Sequence, residues 1–98
     1  MSRRAAAVAI LYAALPAACA RPLSDEECHA LLERYVELIV QSDRPDVKAD
    51  ELLRMKLEAR KKAAHDPAFS TCRKDVPRRA FECAMRAGNA DQLEQCLL

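Results

Sequence analysis

Composition points to an all-α chain, a small disulfide-stapled helical bundle with two longer antiparallel helices and a C-terminal short-helix hairpin. Three observations carry this reading. The chain of 98 residues holds one glycine, while Ala, Leu, Glu, Arg and Lys abound, so helix propensity is high throughout. Aromatic residues make up 4% and Trp is absent, which leaves little of the side-chain material that builds sheets. Five cysteines in so short a chain point to covalent stapling.

The first twenty residues read as an export signal. Arg3 and Arg4 form a basic lead, and Ala5 to Leu15 is an uncharged apolar run too short to span a bilayer. Pro16 stops that run, and the small residues Ala17, Ala18, Cys19 and Ala20 follow. Two processing schemes compete. Ala18-Cys19-Ala20 fits the small-x-small rule of ordinary cleavage, which leaves Arg21 as the new N-terminus. Ala17-Ala18-Cys19 resembles the bacterial lipobox, with Leu15 one position early, and implies lipidation of Cys19. An uncleaved anchor is the remaining scheme. Residues 1–20 are thus assigned to a signal peptide and 21–98 to a single domain. The expected location is periplasmic or extracellular, or membrane-anchored through a lipidated Cys19.

Cysteine arithmetic agrees with export. Removing or lipidating Cys19 leaves Cys28, Cys72, Cys83 and Cys96, an even set that supports two bridges. A core of this size supplies at most about 3–5 kcal/mol, and each bridge typically adds about 2–4 kcal/mol. Charge is nearly balanced after processing. Without Arg3 and Arg4 the 16 basic residues fall to 14, against 15 acidic ones. No strong field favours nucleic acid or an anionic membrane.

The helices follow in order. Ser24 is an N-cap with Glu27 in the capping-box position, Asp25 and Glu26 suit the positive helix end, and Leu23 can staple onto Cys28. Cys28, Leu31, Leu32, Tyr35 and Ile39 trace a helical stripe that should end near Gln41 or Ser42, before Asp43-Arg44-Pro45. A short polar loop then predicts an antiparallel return over roughly Asp46 to Ala64. Its expected inward stripe is Val47, Leu52, Leu53, Leu57 and Ala64. Its expected outer face is basic, carrying Arg54, Lys56, Arg60, Lys61 and Lys62 together with Lys48.

Asp66 and Pro67 supply an N-cap and first helical position for a short helix that faces Phe69 and Cys72 inward. Asp75-Val76-Pro77 restarts the chain, and Ala80, Phe81, Cys83, Ala84 and Met85 fill a helix to about Ala87. Gly88 is expected in the left-handed conformation past that helix, so a β-branched replacement should destabilise it. Asn89 and Gln92 then open a last helix over 90–97 by a capping box.

Cys83 and Cys96 flank the Gly88-Asn89 turn at similar distances, and Cys28 and Cys72 sit where antiparallel helices begin and end. The pairing Cys28–Cys72 with Cys83–Cys96 follows, and Cys28–Cys83 with Cys72–Cys96 stands as the alternative.

The same residues raise other chemistry. Zinc binding by Cys28, His29, Cys72, Cys83 or Cys96 lacks the usual ligand spacing. Cys28-His29 as nucleophile and base is disfavoured because adjacent helical residues diverge by about 100°. Both histidines are expected at exposed helix ends. The basic run Arg54 to Lys62 is either a solvated face or a dock for anionic lipid, an envelope polymer or an acidic protein. Arg73, Lys74, Arg78 and Arg79 form a second basic cluster, able to merge with the first if the helices pack side by side. No paired carboxylates, phosphate loop or Ser-His-Asp arrangement points to an enzyme, and no motif asks for a cofactor.

The cysteine run Cys72, Cys83-Ala84-Met85 and Cys96, preceded by Cys28, resembles a group of small four-cysteine exported proteins and lipoproteins of myxobacteria-like and spirochaete bacteria. The resemblance implies helical form and an envelope location. It covers most of residues 21–98 and rests on cysteine spacing. The spacings miss the C-x₉-C pattern of mitochondrial hairpins. The expectation is a non-enzymatic exported envelope protein that binds an unidentified protein or envelope component. The alternative is a thiol-redox or metal-handling protein using the four cysteines.

Overall fold

The computed structural model describes residues 21–98, so the expected signal peptide and Cys19 lie outside the described residues. Within them the secondary structure is helical. The elements are α1 (Asp25–Asp43), α2 (Ala49–Ala63), α3 (Pro67–Ser70), α4 (Cys72–Asp75), α5 (Arg78–Met85) and α6 (Ala90–Cys96). None of these helices is long and apolar enough to cross a membrane.

The start of α1 follows from its first residues. The Ser24 hydroxyl accepts from the Glu27 N–H at 3.1 Å, and the Glu27 carboxylate accepts from the Ser24 N–H at 2.9 Å. This capping box satisfies two backbone donors that a helix N-terminus leaves free. Leu23, just outside the cap, is 1% exposed and packs with Cys28, which is 2% exposed. The staple therefore forms, with a half-cystine as its inner partner. The helix runs to Asp43, slightly past the expected stop, because Arg44 still donates its N–H to Val40.

α1 is the hub of the fold. α2 packs along one side of it, and the short elements α4, α5 and α6 contact it as well. The core has two lobes. Leu31 and Leu38 of α1 meet Ala84, Ala87 and Leu93, with Tyr35, Phe81 and Met85 around them. Leu23, Cys28 and Cys72 form the smaller lobe, and Val76 and Phe81 touch both.

The second helix differs from expectation at its start and in its orientation. It begins at Ala49, since the Val47 N–H turns back to Arg44 and Lys48 is still extended. The predicted apolar stripe is inward only in part: Val47 and Leu52 are half-buried, as expected. Leu53 and Leu57 are 57% and 47% exposed, and Ala64 is exposed too. The positions turned toward α1 are Leu52, Met55, Lys56, Ala59, Arg60 and Ala63, all buried or half-buried. The small residues Ala59 and Ala63 allow close approach, and the aliphatic stems of Lys56 and Arg60 cover apolar surface while their charged ends reach acids on α1.

Asp66 caps α3 by accepting from the Ala68 N–H at 2.9 Å, with Pro67 at the first helical position. α5 ends at Met85, two residues before the expected stop. The turn that follows departs from expectation as well. Gly88 does not have a positive φ. The chain leaves α5 through short-range bonds from Arg86 to Cys83 and from Ala87 to Ala84, so no left-handed residue is needed. Asn89 does cap α6, accepting from the Gln92 N–H at 2.8 Å. The Gln92 side chain reaches past the cap and accepts from the Gly88 N–H at 2.9 Å.

Candidate functional site

The cysteines define the frame on which any surface is held. Cys28 bonds to Cys72 and Cys83 to Cys96, with Cα–Cα separations of 6.2 and 5.7 Å. This is the first of the two pairings drawn from the sequence; the alternative Cys28–Cys83 with Cys72–Cys96 is not present. The first bridge closes a separation of 44 residues and is buried, tying the start of α1 to α4. The second closes 13 residues and joins α5 to α6. Cys83 and Cys96 are only half-buried and line a shallow depression of about 400 Å³ with Arg86, Ala87, Gln92 and Gln95. All four sulfurs are engaged in S–S bonds. Two bridges fit an oxidising, exported setting.

Ion pairs lock the N-terminal lead onto the C-terminal segment. Arg78 donates to Glu27 Oε2 at 2.7 Å and Oε1 at 3.0 Å, and to the Pro22 carbonyl at 3.2 Å. Arg73 donates to the Leu23 carbonyl at 3.1 Å. The Arg78 guanidinium, with the Ser24 N–H, holds the Glu27 carboxyl down at about 2, against an ordinary value of 4.5. Farther along α1, Arg34 donates to the Ala87 carbonyl at 2.8 Å and so satisfies an acceptor just past the end of α5. Tyr35 donates its hydroxyl to Glu94 of α6, which raises the phenol above its ordinary pKa of 10.0.

The basic face foreseen on α2 divides in two. Lys56 lies 3.1 Å from Glu37, and Arg60 lies 3.3 Å from Glu26 and 3.5 Å from Glu33, all acids of α1. These two cations belong to the helix–helix seam and are half-buried there. Arg54, Lys61 and Lys62 remain on the outside. Near the loop, Arg44 pairs with Glu51 at 2.8 Å, which lowers the Glu51 carboxyl. Arg73 and Arg78 of the second basic cluster reach the first turn of α1, where Arg60 of the first cluster also pairs. Arg78 is committed to Glu27 and Pro22, Arg73 lies 3.8 Å from Asp25, and Lys74 and Arg79 are exposed.

His29 departs from the exposed position expected of it. Its ring is half-buried and stacks on Phe69 of α3, with centroids 5.8 Å apart and planes inclined by 15°. The contact helps hold α3 against α1, and adjacent Cys28 is bonded away from it. His65 is exposed.

Sequence reasoning missed Arg34, Tyr35 and Arg78 as long-range anchors. Their partners lie more than fifty residues away, and no local spacing signals such a bond. No family model, curated protein or solved structure matches the chain.

Proposed function

We propose that the chain is a non-enzymatic exported module of the envelope, a rigid helical scaffold that holds a partner on its surface. The observation that carries this reading is the pair of disulfides, one tying the start of α1 to α4 and the other joining α5 to α6, which engages all four cysteines of residues 21–98. A protein whose stability depends on such staples belongs in an oxidising compartment. The basic lead and apolar run at residues 3–15 supply the route there. The outward surface of α2 is the candidate contact, with Arg54, Lys61 and Lys62 as exposed cations and Leu53 and Leu57 as exposed apolar side chains.

Intact-mass measurement on protein purified from its own cell envelope tests the proposal. A chain beginning at Arg21, or one beginning at a diacylglyceryl-modified Cys19, is the expected result, and the two separate a free protein from an anchored one. A chain that keeps residues 1–20 and carries free thiols or bound zinc overturns it in favour of thiol-redox or metal handling.

A further inference from the structure

The outer face of α2 carries a pattern that its own chain does not use. Asp50, Leu53, Arg54, Leu57, Glu58 and Lys61 are all exposed, on the side away from Leu52, Met55, Lys56, Ala59, Arg60 and Ala63. Among the described residues α2 packs on α1 and touches α3, and this face stays exposed. Asp50, Arg54, Glu58 and Lys61 enter no ion pair among the described residues.

Their order along the helix is the informative feature. Asp50 and Lys61 stand at equal distances on either side of the Met55–Lys56 midpoint, with opposite charge. Arg54 and Glu58 do nearly the same closer in, and Leu53 and Leu57 bracket the centre. A face whose charges invert about its own midpoint is complementary to itself in the antiparallel sense. A two-fold axis there sets each acid opposite a base, and each of those contacts occurs twice. Apolar centre with charged flanks is the arrangement that fixes orientation in paired helices. The near-neutral charge of residues 21–98 offers little overall repulsion to such a pairing.

We propose that α2 binds α2 of a second copy of this chain, antiparallel about the Met55–Lys56 midpoint. Leu53 meets Leu57 of the second copy, Asp50 meets its Lys61, and Arg54 meets its Glu58. This rests on the reading of α2 as the contact surface given above and names its occupant.

Sedimentation velocity of the processed, oxidised protein over a micromolar to millimolar range tests it. The unmodified protein should shift from monomer to dimer with concentration. Asp50→Lys or Lys61→Glu alone places like charges opposite each other at both symmetric contacts. Each should weaken the dimer about tenfold. An equimolar mixture of these two variants restores both opposite-charge contacts, and should dimerise as well as the unmodified protein. Circular dichroism confirms that each variant is folded; if one is not, Arg54→Glu and Glu58→Arg repeat the experiment closer to the centre. A protein that stays monomeric throughout, variants that dimerise unchanged, or a mixture no better than its components overturns the proposal. A monomer with both disulfides intact would refute self-pairing and leave the scaffold reading in place.

Discussion

Arg78 on α5 grips both carboxylate oxygens of Glu27 in the first turn of α1, across 51 residues of chain. The same carboxylate accepts from the Ser24 N–H. One side chain thus serves the helix cap and the closure of the domain together.

The pH dependence follows from that double role. Glu27 is held at about 2 in the folded state, below its ordinary 4.5. A lowered carboxylate stabilises the fold above its unfolded pKa, and that contribution is lost as pH falls through the folded one. Melting temperature should therefore drop between about pH 4.5 and 2. Glu27→Gln should flatten that part of the profile, and thermal melts across the range are the check. An unchanged profile would place the acid sensitivity elsewhere.

Leu93 and Leu53 should respond to very different degrees. Leu93 is 1% exposed, at the centre of the larger core lobe. Leu93→Ala should cost about 2–5 kcal/mol, comparable to what so small a core supplies. Leu53 is 57% exposed. Leu53→Ala in the dilute monomer should change stability by less than about 0.5 kcal/mol. Denaturant titration of both variants decides whether α2 faces outward as described.

Gly88 should tolerate a side chain. Its φ is not positive, and a Cβ there would meet only the end of the Gln92 side chain, at 3.4 Å. Gly88→Ala should be neutral, or stabilising by about 0.4–1 kcal/mol through a less flexible unfolded chain. A melting temperature lower by many degrees would show that the turn needs the left-handed conformation.

The two bridges should differ in access to reductant. Cys28 and Cys72 are buried, whereas Cys83 and Cys96 border an open depression. Under native conditions a small thiol should reduce Cys83–Cys96 first, since exchange requires attack on a reachable sulfur. Alkylation followed by peptide mass analysis at short times reads the order.

What was legible in the sequence was mostly local. Ser24 with Glu27, Asp66 with Pro67, and Asn89 with Gln92 mark helix starts because caps use neighbouring residues. The bundle class followed from composition and the even cysteine set. The orientation of α2 was legible only in part. Leu52 faces inward as expected, but periodicity alone does not choose between Leu53 with Leu57 and Met55 with Ala59 as its neighbours on that face. The choice lies in Glu33 and Glu37 of α1, which draw Arg60 and Lys56 to the seam and turn Leu53 and Leu57 outward. Gly88 misled for a related reason. A glycine after a helix is a common stop signal, but here Gln92 supplies the backbone partner and the chain turns without it.

Two specific disulfides hold the helical scaffold together. A peptide map of the protein taken from its native envelope without reductant tests this most directly. One cross-linked peptide pair containing Cys28 and Cys72 and another containing Cys83 and Cys96 should appear, with no free thiol in residues 21–98. Free thiols at these positions, or pairs joining Cys28 to Cys83 and Cys72 to Cys96, would contradict it.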